Sequence, residues 1–317
     1  MLASKGFSTE DRNSAASGGN NTYTYTHANV DYKIHKFTAD GTFTINFSVP
    51  FDVLIIGGGG SGASLFGGGG AGGLRWLTNQ HIVSGTSAVV IGAGGARPSS
   101  ESSSSSHGNA GNASSIVING STESAAGGGY GGSDEAGGAG GSGGGGGAWG
   151  GVSYAGGASS PAGQGNAGGV GSTANTFGGG GGGAGAAGAT GGSSAGDGNG
   201  GVGSSTFVNS SAAETTAFLK AAVAGTDGNN AATTGSSSGT LYIAAGGNAG
   251  RYGGTANIAT TGALGGGGIS KYHYVGTDMD ALANTGSGGG AGSRTSSNTG
   301  GGLGGSGIVI IRYRLHQ

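Results

Sequence analysis

Runs of glycine constrain this sequence more than any other feature. Glycine supplies 86 of the 317 residues, and the longest runs occupy residues 57–60, 67–70, 143–147, 178–183 and 265–268. A residue without a Cβ adds no side chain to an apolar core, and it loses more backbone freedom on folding than any other residue. A chain of this kind therefore either stays unfolded or folds through hydrogen bonds between its own backbone amides and carbonyls.

The composition favours a folded chain. Disordered sequences usually combine few hydrophobic residues with high net charge and abundant proline, whereas this chain has 3 prolines, a formal net charge of -2 and 33% hydrophobic residues. The small net charge gives no electrostatic basis for binding nucleic acid. With 0 cysteines the chain has no disulfides and no thiolate metal sites. The sequence contains no run of about 18 apolar residues, so it does not predict insertion into a membrane.

Apolar segments between the glycine runs predict strands. Residues 32–37 precede Asp40-Gly41, a hairpin signal, and residues 42–47 alternate polar with apolar side chains, as a half-buried strand does. A continuous apolar run at residues 51–56 is typical of a central strand. Further strands are predicted at residues 86–91, 115–118, 240–244 and 308–315, and a short helix over residues 212–224. The expected fold class is therefore mainly β with little α-helix.

The glycine tracts themselves predict packed polyglycine II-type helices. Such helices are left-handed and extended, with three residues per turn and about 3.1 Å rise per residue, and they lack internal hydrogen bonds. Without side chains in the way, neighbouring backbones can pair their N–H and C=O groups. The chain then divides into an N-terminal docking arm at residues 1–31 and a glycine-rich domain at residues 32–317. Within that domain we distinguish a β-rich part at 32–95, glycine tracts with inserted loops at 96–303, and a closing strand at 304–317.

Motifs of enzymes and cofactor sites are weak in this sequence. Residues 57–62 match G-x-G-x-x-G after an apolar strand, but a dinucleotide site needs a helix to follow. The glycines at 67–70 cannot sustain one, and the next acidic residue is Glu101. Asp278 and Asp280 are interpreted as part of a solvated loop rather than as cation ligands. The sequence therefore predicts no enzyme, no cofactor and no metal site.

Aromatic residues beside the glycine tracts are the candidate recognition residues. Trp149 follows the tract at 143–147, and Tyr272, His273 and Tyr274 form an aromatic segment in an otherwise small-residue region. Loops carry function, and tyrosine makes contacts at low entropic cost. We interpret these four residues as a candidate contact loop, with packing against flat backbone as the alternative.

The N-terminal arm contains three aromatic residues that could dock onto a partner. Phe7, Tyr23 and Tyr25 stand among serine, asparagine, glycine and threonine residues. A floppy terminus is the alternative interpretation.

Several stretches resemble the glycine-rich domain of bacteriophage tail and appendage proteins. The resemblance runs from about residue 32 to the end of the chain, and the ending GGSGIVIIRY at 304–313 is its most distinctive part. The other matching stretches are IHKFT at 34–38, GTFTI at 41–45, VLIIGGGG at 53–60, GGGGAGGL at 67–74, VVIGAGG at 89–95 and GQGNAGG at 163–169.

The resemblance implies a virion structural protein of the tail or tail fibre. Some phage adhesins are similar in building bundles of polyglycine helices that display variable loops. Such a protein would contact other virion proteins through the arm at 1–31 and host cell-surface glycan or protein through Trp149 and the 272–274 loop. Tail fibres are commonly trimers, so a homo-oligomer such as a trimer is expected. Two alternatives stay open: a capsid decoration or capsid-fibre protein with the same fold, and an ice-binding or extracellular matrix glycine-rich protein.

Overall fold

The fold is mainly β, as the sequence predicts. The structure is a computed structural model, and it describes residues 12–82, 84–98, 106–173, 176–192, 197–223, 233–234, 240–253, 263–272, 277–293 and 300–316. An α-helix, α1, spans Ala212–Val223, which confirms the helix predicted over 212–224, and a 3-10 turn spans Thr277–Met279. The strands are β1 (Ala16–Ser17), β2 (Asn21–His27), β3 (Val30–Phe37), β4 (Gly41–Ile45), β5 (Phe51–Ile56), β6 (Leu74–Gln80), β7 (Gly85–Val90), β8 (Ser114–Ile118), β9 (Ser121–Ala125), β10 (Ala148–Trp149), β11 (Val152–Ser153), β12 (Thr233–Thr234), β13 (Leu241–Tyr242), β14 (Lys271–Tyr272), β15 (Gly292–Ser293) and β16 (Ile308–Arg314).

Two five-stranded antiparallel sheets form a sandwich. Their strand orders are β1-β4-β7-β8-β9 and β2-β3-β16-β5-β6. The alternation in β4 explains its orientation, because Phe43 and Ile45 are buried while Gly41 and Thr42 are exposed. The core between the sheets includes Phe37, Phe43, Phe51, Val53, Ile55, Val89, Ile116, Val309, Ile311 and Tyr313.

The closing strand β16 lies in the centre of the second sheet. It pairs antiparallel with β3 on one side and with β5 on the other. The face turned away from the first sheet is covered by α1, whose Phe218 and Leu219 join a second apolar cluster with Leu54 and Ile310. Both faces of β5 and β16 are therefore buried, which confirms that the apolar run at 51–56 is a central strand.

The glycine tracts are joined by hydrogen bonds that repeat every third residue. Along the tract at 57–64, the amides of residues 57, 60 and 63 donate to the carbonyls of residues 73, 70 and 67. The amides of residues 58, 61 and 64 donate to the carbonyls of residues 112, 109 and 106, and the amides of residues 59 and 62 donate to the carbonyls of residues 305 and 302. The N···O distances are 2.9 to 3.1 Å. Each third residue thus faces the same neighbouring tract. A period of three is the one that polyglycine II-type packing predicts, although the left-handed helical conformation itself stays a prediction.

The tract at 57–64 lies at the centre of the network. It donates to the segments at 67–73, 106–112 and 302–305, and it accepts hydrogen bonds from amides at 95, at 128 and 131, and at 289 and 292. A Cβ built on most glycines of the tracts would overlap a neighbouring carbonyl oxygen. For example, a Cβ on Gly69 would overlap the carbonyl of Gly60. Glycine is therefore required here by the close approach of backbones.

Part of the predicted docking arm belongs to the sheet. Residues 21–27 form the edge strand β2, which pairs with β3 without interruption from His27↔Val30 to Asn21↔Lys36. Residues 16–17 form β1 at the edge of the other sheet. These strands stand outside the β-rich part predicted at 32–95, so the structured region begins earlier than we expected. The docking role of the segment stays a prediction.

A buried histidine is expected to make stability fall with acidification. His35 is 1% exposed; its Nδ1–H donates to the Gly18 carbonyl at 2.8 Å, and its Nε2 accepts from the Tyr313 hydroxyl at 3.5 Å. Burial lowers the pKa of His35, and Lys33 lowers it further. As the pH falls, His35 is therefore protonated in the unfolded chain before it is protonated in the folded protein. The contribution of neutral His35 to stability is complete above about pH 6.5, the pKa of histidine in the unfolded chain. It decreases as the pH falls below this value, and the decrease ends once the pH has passed the pKa of His35 in the folded protein.

Urea unfolding between pH 7.5 and 5 checks this expectation. Below pH 6.5 the free energy of unfolding of the wild-type protein should fall with an additional slope approaching about 1.4 kcal/mol per pH unit. His35→Gln should lose that slope. The exposed His81 offers a matched control, since His81→Gln should keep it. Equal slopes in the wild type and His35→Gln would contradict the assignment.

Candidate functional site

The glycine network has one end at the sheets and another end away from them. Strand β5 leads directly into the tract at 57–64, the chain turns at 65–66, and the tract at 67–73 returns into β6. Other turns lie level with this one, because the Gly178 amide donates to the Gly250 carbonyl at 3.0 Å and the Gly250 amide donates to the Phe66 carbonyl at 2.6 Å. We call this side the distal end.

An apolar cluster of three aromatic residues and one valine lies at the distal end, and we name it the distal patch: Phe66, Trp149, Val152 and Tyr252. The ring centroids of Trp149 and Tyr252 are 5.2 Å apart in an edge-to-face arrangement, and those of Phe66 and Trp149 are 6.2 Å apart. Phe66 is fully buried, whereas Trp149, Tyr252 and Val152 are 36%, 37% and 47% exposed. The buried ring therefore supports a partly exposed apolar surface.

Local backbone geometry presents Trp149 and Val152 together. They are direct partners in the β10–β11 hairpin, whose two turn residues, Gly150 and Gly151, have φ values of 60° and 80°. Two successive positive φ angles suit the tight turn that matches the twist of a hairpin. Phe66 also has a positive φ, 83°, which is unusual for a bulky residue and marks a conformation held by its surroundings.

The structure brings the backbone of Tyr272 to the same end as Trp149. Tyr272 pairs with Ser293 in the parallel β14–β15 bridge, and the Ser293 hydroxyl accepts a hydrogen bond from the Arg251 amide at 3.1 Å. Arg251 directly precedes Tyr252 of the distal patch. His273 and Tyr274 lie outside the described residues, so their part in a contact loop stays a prediction.

The aromatic residues predicted in the arm lie against the sandwich. Tyr23 and Tyr25 pack against the cluster beneath α1. Tyr25 stacks on Tyr32 at 5.1 Å, and its oxygen accepts a hydrogen bond from Arg312 Nη1 at 2.9 Å. Burial raises the pKa of Tyr25 to about 12, although the Arg312 cation opposes the shift. Phe7 lies outside the described residues.

One of the two acidic residues considered as cation ligands, Asp280, forms an ion pair. The Asp280 carboxylate pairs with Arg97 at 2.8 Å and accepts a hydrogen bond from the Leu303 amide at 2.7 Å. Asp280 therefore ties the segments that contain Arg97 and Leu303 together. Over the described ranges, no group of three His, Asp or Glu side chains is arranged to hold a metal ion. None of the helices described has the length and apolar character needed to cross a membrane.

Phe66, Val152 and Tyr252 were missed in the sequence, although Tyr252 carried a usable signal. It follows the tract at 246–250 by two positions, much as Trp149 follows the tract at 143–147. In both cases an aromatic residue two positions beyond a glycine tract lies at the distal end. Val152 had no such signal, because its exposure depends on the hairpin that pairs it with Trp149.

The fold and the hydrogen-bonded tracts define a glycine-rich β-sandwich protein. A family model described as a glycine-rich domain matches residues 38–314. The chain belongs to this glycine-rich domain family. Comparison with curated proteins found no match.

Proposed function

We propose that this protein is a structural component of a bacteriophage particle, in the tail or tail fibre, and that its distal end attaches to a glycan or protein on the host surface. The observation that carries the proposal is the separation of a β-sandwich at one end from an exposed aromatic patch at the other. The likeness of residues 304–313 to the ends of phage appendage domains supports the same assignment.

The chemistry of the distal patch suits recognition rather than catalysis. Tryptophan and tyrosine dominate the binding energy of many interfaces, because each contributes a large area with few rotatable bonds. Trp149 and Tyr252 are both partly exposed, and both are held in place by a neighbouring ring. A partner that covers them would bury apolar surface that solvent now contacts.

The glycine network supports the patch with little freedom to move. Its tracts approach so closely that an added Cβ would overlap neighbouring backbone at Gly145, Gly179 and Gly181. Binding to a surface that is already ordered costs less conformational entropy than binding to a loose loop. A closely packed support for exposed residues is therefore consistent with an attachment role.

Replacing Trp149 by alanine should weaken attachment at least tenfold, about 1.4 kcal/mol, because the substitution removes the largest exposed ring. The measurement is the rate at which particles carrying the variant adsorb to the susceptible bacterial strain. Val208→Ala is the matched control: Val208 is 73% exposed and precedes α1 on the sandwich side, so adsorption should not change.

Gold-labelled antibody against the protein should decorate the tail in electron micrographs of whole particles. Label on the capsid shell would instead support the capsid alternative and overturn the tail assignment. Unchanged adsorption of Trp149→Ala particles, combined with adsorption that survives the antibody, would overturn the attachment role.

A further inference from the structure

The sandwich has a cavity at the end opposite to the glycine tracts. Strand β5 runs from this end at Phe51 towards Gly57, and β16 returns to it at Arg314. The cavity has a volume of about 490 Å³. Its charged lining consists of Arg12, Asp52, Glu214, Arg312 and Arg314. We call it the basal cavity.

Arg12 is buried at the basal cavity, and within the part of the chain that the structure describes it has no charged partner. The residue is 6% exposed, and its Nε is buried with no hydrogen-bond partner. Its Nη1 reaches only the Arg314 carbonyl oxygen, at 3.5 Å. No carboxylate of the described residues forms an ion pair with it. A guanidinium that is removed from water without a counter-charge is costly, so the side chain is poised to accept an anion.

The carboxylates in the cavity already have a partner. Asp52 pairs with Arg312 Nε at 2.9 Å, and Glu214 pairs with Arg312 Nη2 at 2.6 Å. Three arginines, Arg12, Arg312 and Arg314, face these two carboxylates, so the lining carries one excess positive charge. The excess lies with Arg12 and Arg314, because Arg312 is shared between both acids.

We propose that the basal cavity binds an oxyanion, a carboxylate or phosphate group, through the Arg12 guanidinium. The planar fork of arginine matches both groups and can donate two parallel hydrogen bonds to either. The cavity is larger than one small ion needs, so the group can be carried by a side chain or a larger molecule. This site lies at the opposite end from the distal patch and does not depend on the attachment role.

Titration of the intact protein with sodium phosphate or sodium acetate tests the proposal. Ionic strength is held constant with sodium chloride, and the thermal midpoint is followed together with the ¹⁵N shift of the Arg12 Nε–H group. The wild-type protein should show saturable stabilisation and a saturable Arg12 shift. The salt with the lower apparent dissociation constant identifies phosphate or carboxylate as the natural group.

Two variants locate the effect at Arg12. Arg12→Gln should raise the apparent dissociation constant at least tenfold, and Arg12→Lys should raise it less, because it keeps the charge and loses the fork. Arg75→Gln is the matched control, since Arg75 pairs with Glu123 at the end of β6 that lies nearer the glycine tracts and should leave binding unchanged. If Arg12→Gln does not fold, the Arg12 shift in the wild-type protein still decides. Absence of a saturable shift, or equal binding by Arg12→Gln, overturns the proposal.

Discussion

A single methyl group at Gly69 should lower the free energy of unfolding by at least about 3 kcal/mol. Overpacking a close-packed interior typically costs about 1–3 kcal/mol, and here the clash is with backbone that cannot rotate away. A Cβ on Gly69 would overlap the Gly60 carbonyl, while the Gly69 amide donates to Gly289 at 2.9 Å. Any shift that relieves the overlap also strains this hydrogen bond. The check is the thermal midpoint of Gly69→Ala, which should fall by roughly 6–12 °C.

Gly41→Ala is the matched control for this prediction. Gly41 is exposed in β4, and a Cβ there would meet only the Phe37 ring, with its closest carbon at 3.3 Å. The ring can move by a few tenths of an ångström, so the change in stability should stay below about 1 kcal/mol. Similar midpoints for the two variants would show that the tracts tolerate side chains, contrary to the packing described above.

Replacing Arg312 by methionine should destabilise the protein by about 3–5 kcal/mol, because removing one member of a buried ionic cluster leaves the others without compensation. Arg312 is buried in β16, where it holds Asp52 and Glu214. Its guanidinium carbon also lies 4.9 Å from the ring centroids of Tyr32 and Trp76. Burial alone would lower the pKa of Arg312, but Tyr25, Glu214 and Asp52 raise it above its ordinary value. Urea unfolding at neutral pH measures the loss.

Two comparisons separate the ionic contribution from general damage. Adding Asp52→Asn and Glu214→Gln to Arg312→Met should recover part of the lost stability, because neither carboxylate is then left without its cation. Arg75→Met should cost less than about 1 kcal/mol, since the Arg75–Glu123 pair at 2.8 Å is partly exposed. An Arg312→Met variant no less stable than Arg75→Met would refute the central role assigned to Arg312.

Strands rich in β-branched and aromatic residues could be predicted from sequence, but polar edge strands could not. The apolar run at 51–56 coincides with β5, and the strand predicted at 308–315 coincides with β16 apart from its last residue. Strand β2 was hidden because its tyrosines alternate with threonine in a segment otherwise typical of a floppy terminus. Strand β6 lacks a regular alternation of burial, since residues 74–77 are all half-buried. The partner strand, rather than local pattern, determines both elements.

Sequence reasoning found Trp149 of the distal patch but not the surface to which it belongs. Trp149 and Tyr252 are about a hundred positions apart, and only the pairing of distant tracts brings their rings to 5.2 Å. The same holds for Arg312, whose hydrogen-bond partner Tyr25 is 287 positions away. Periodicity predicts the face on which a residue lies within its own element. Periodicity carries no information about which other element packs against that face.

The direct pairing of Ile56 with Ile308 has a consequence for how such a domain can diversify. The chain leaves the sheet after Ile56 and finally re-enters it beside that point at Ile308, while β6 to β9 return to the sandwich in between. The bundle therefore consists of excursions at 57–73, 91–113 and 126–307, each of which starts and ends at a strand of the sandwich. Closing a longer excursion is cheap, since each doubling in length costs only about 0.6 kcal/mol of chain entropy. Insertions and deletions at the outer turns can therefore accumulate between relatives while the sandwich stays the same.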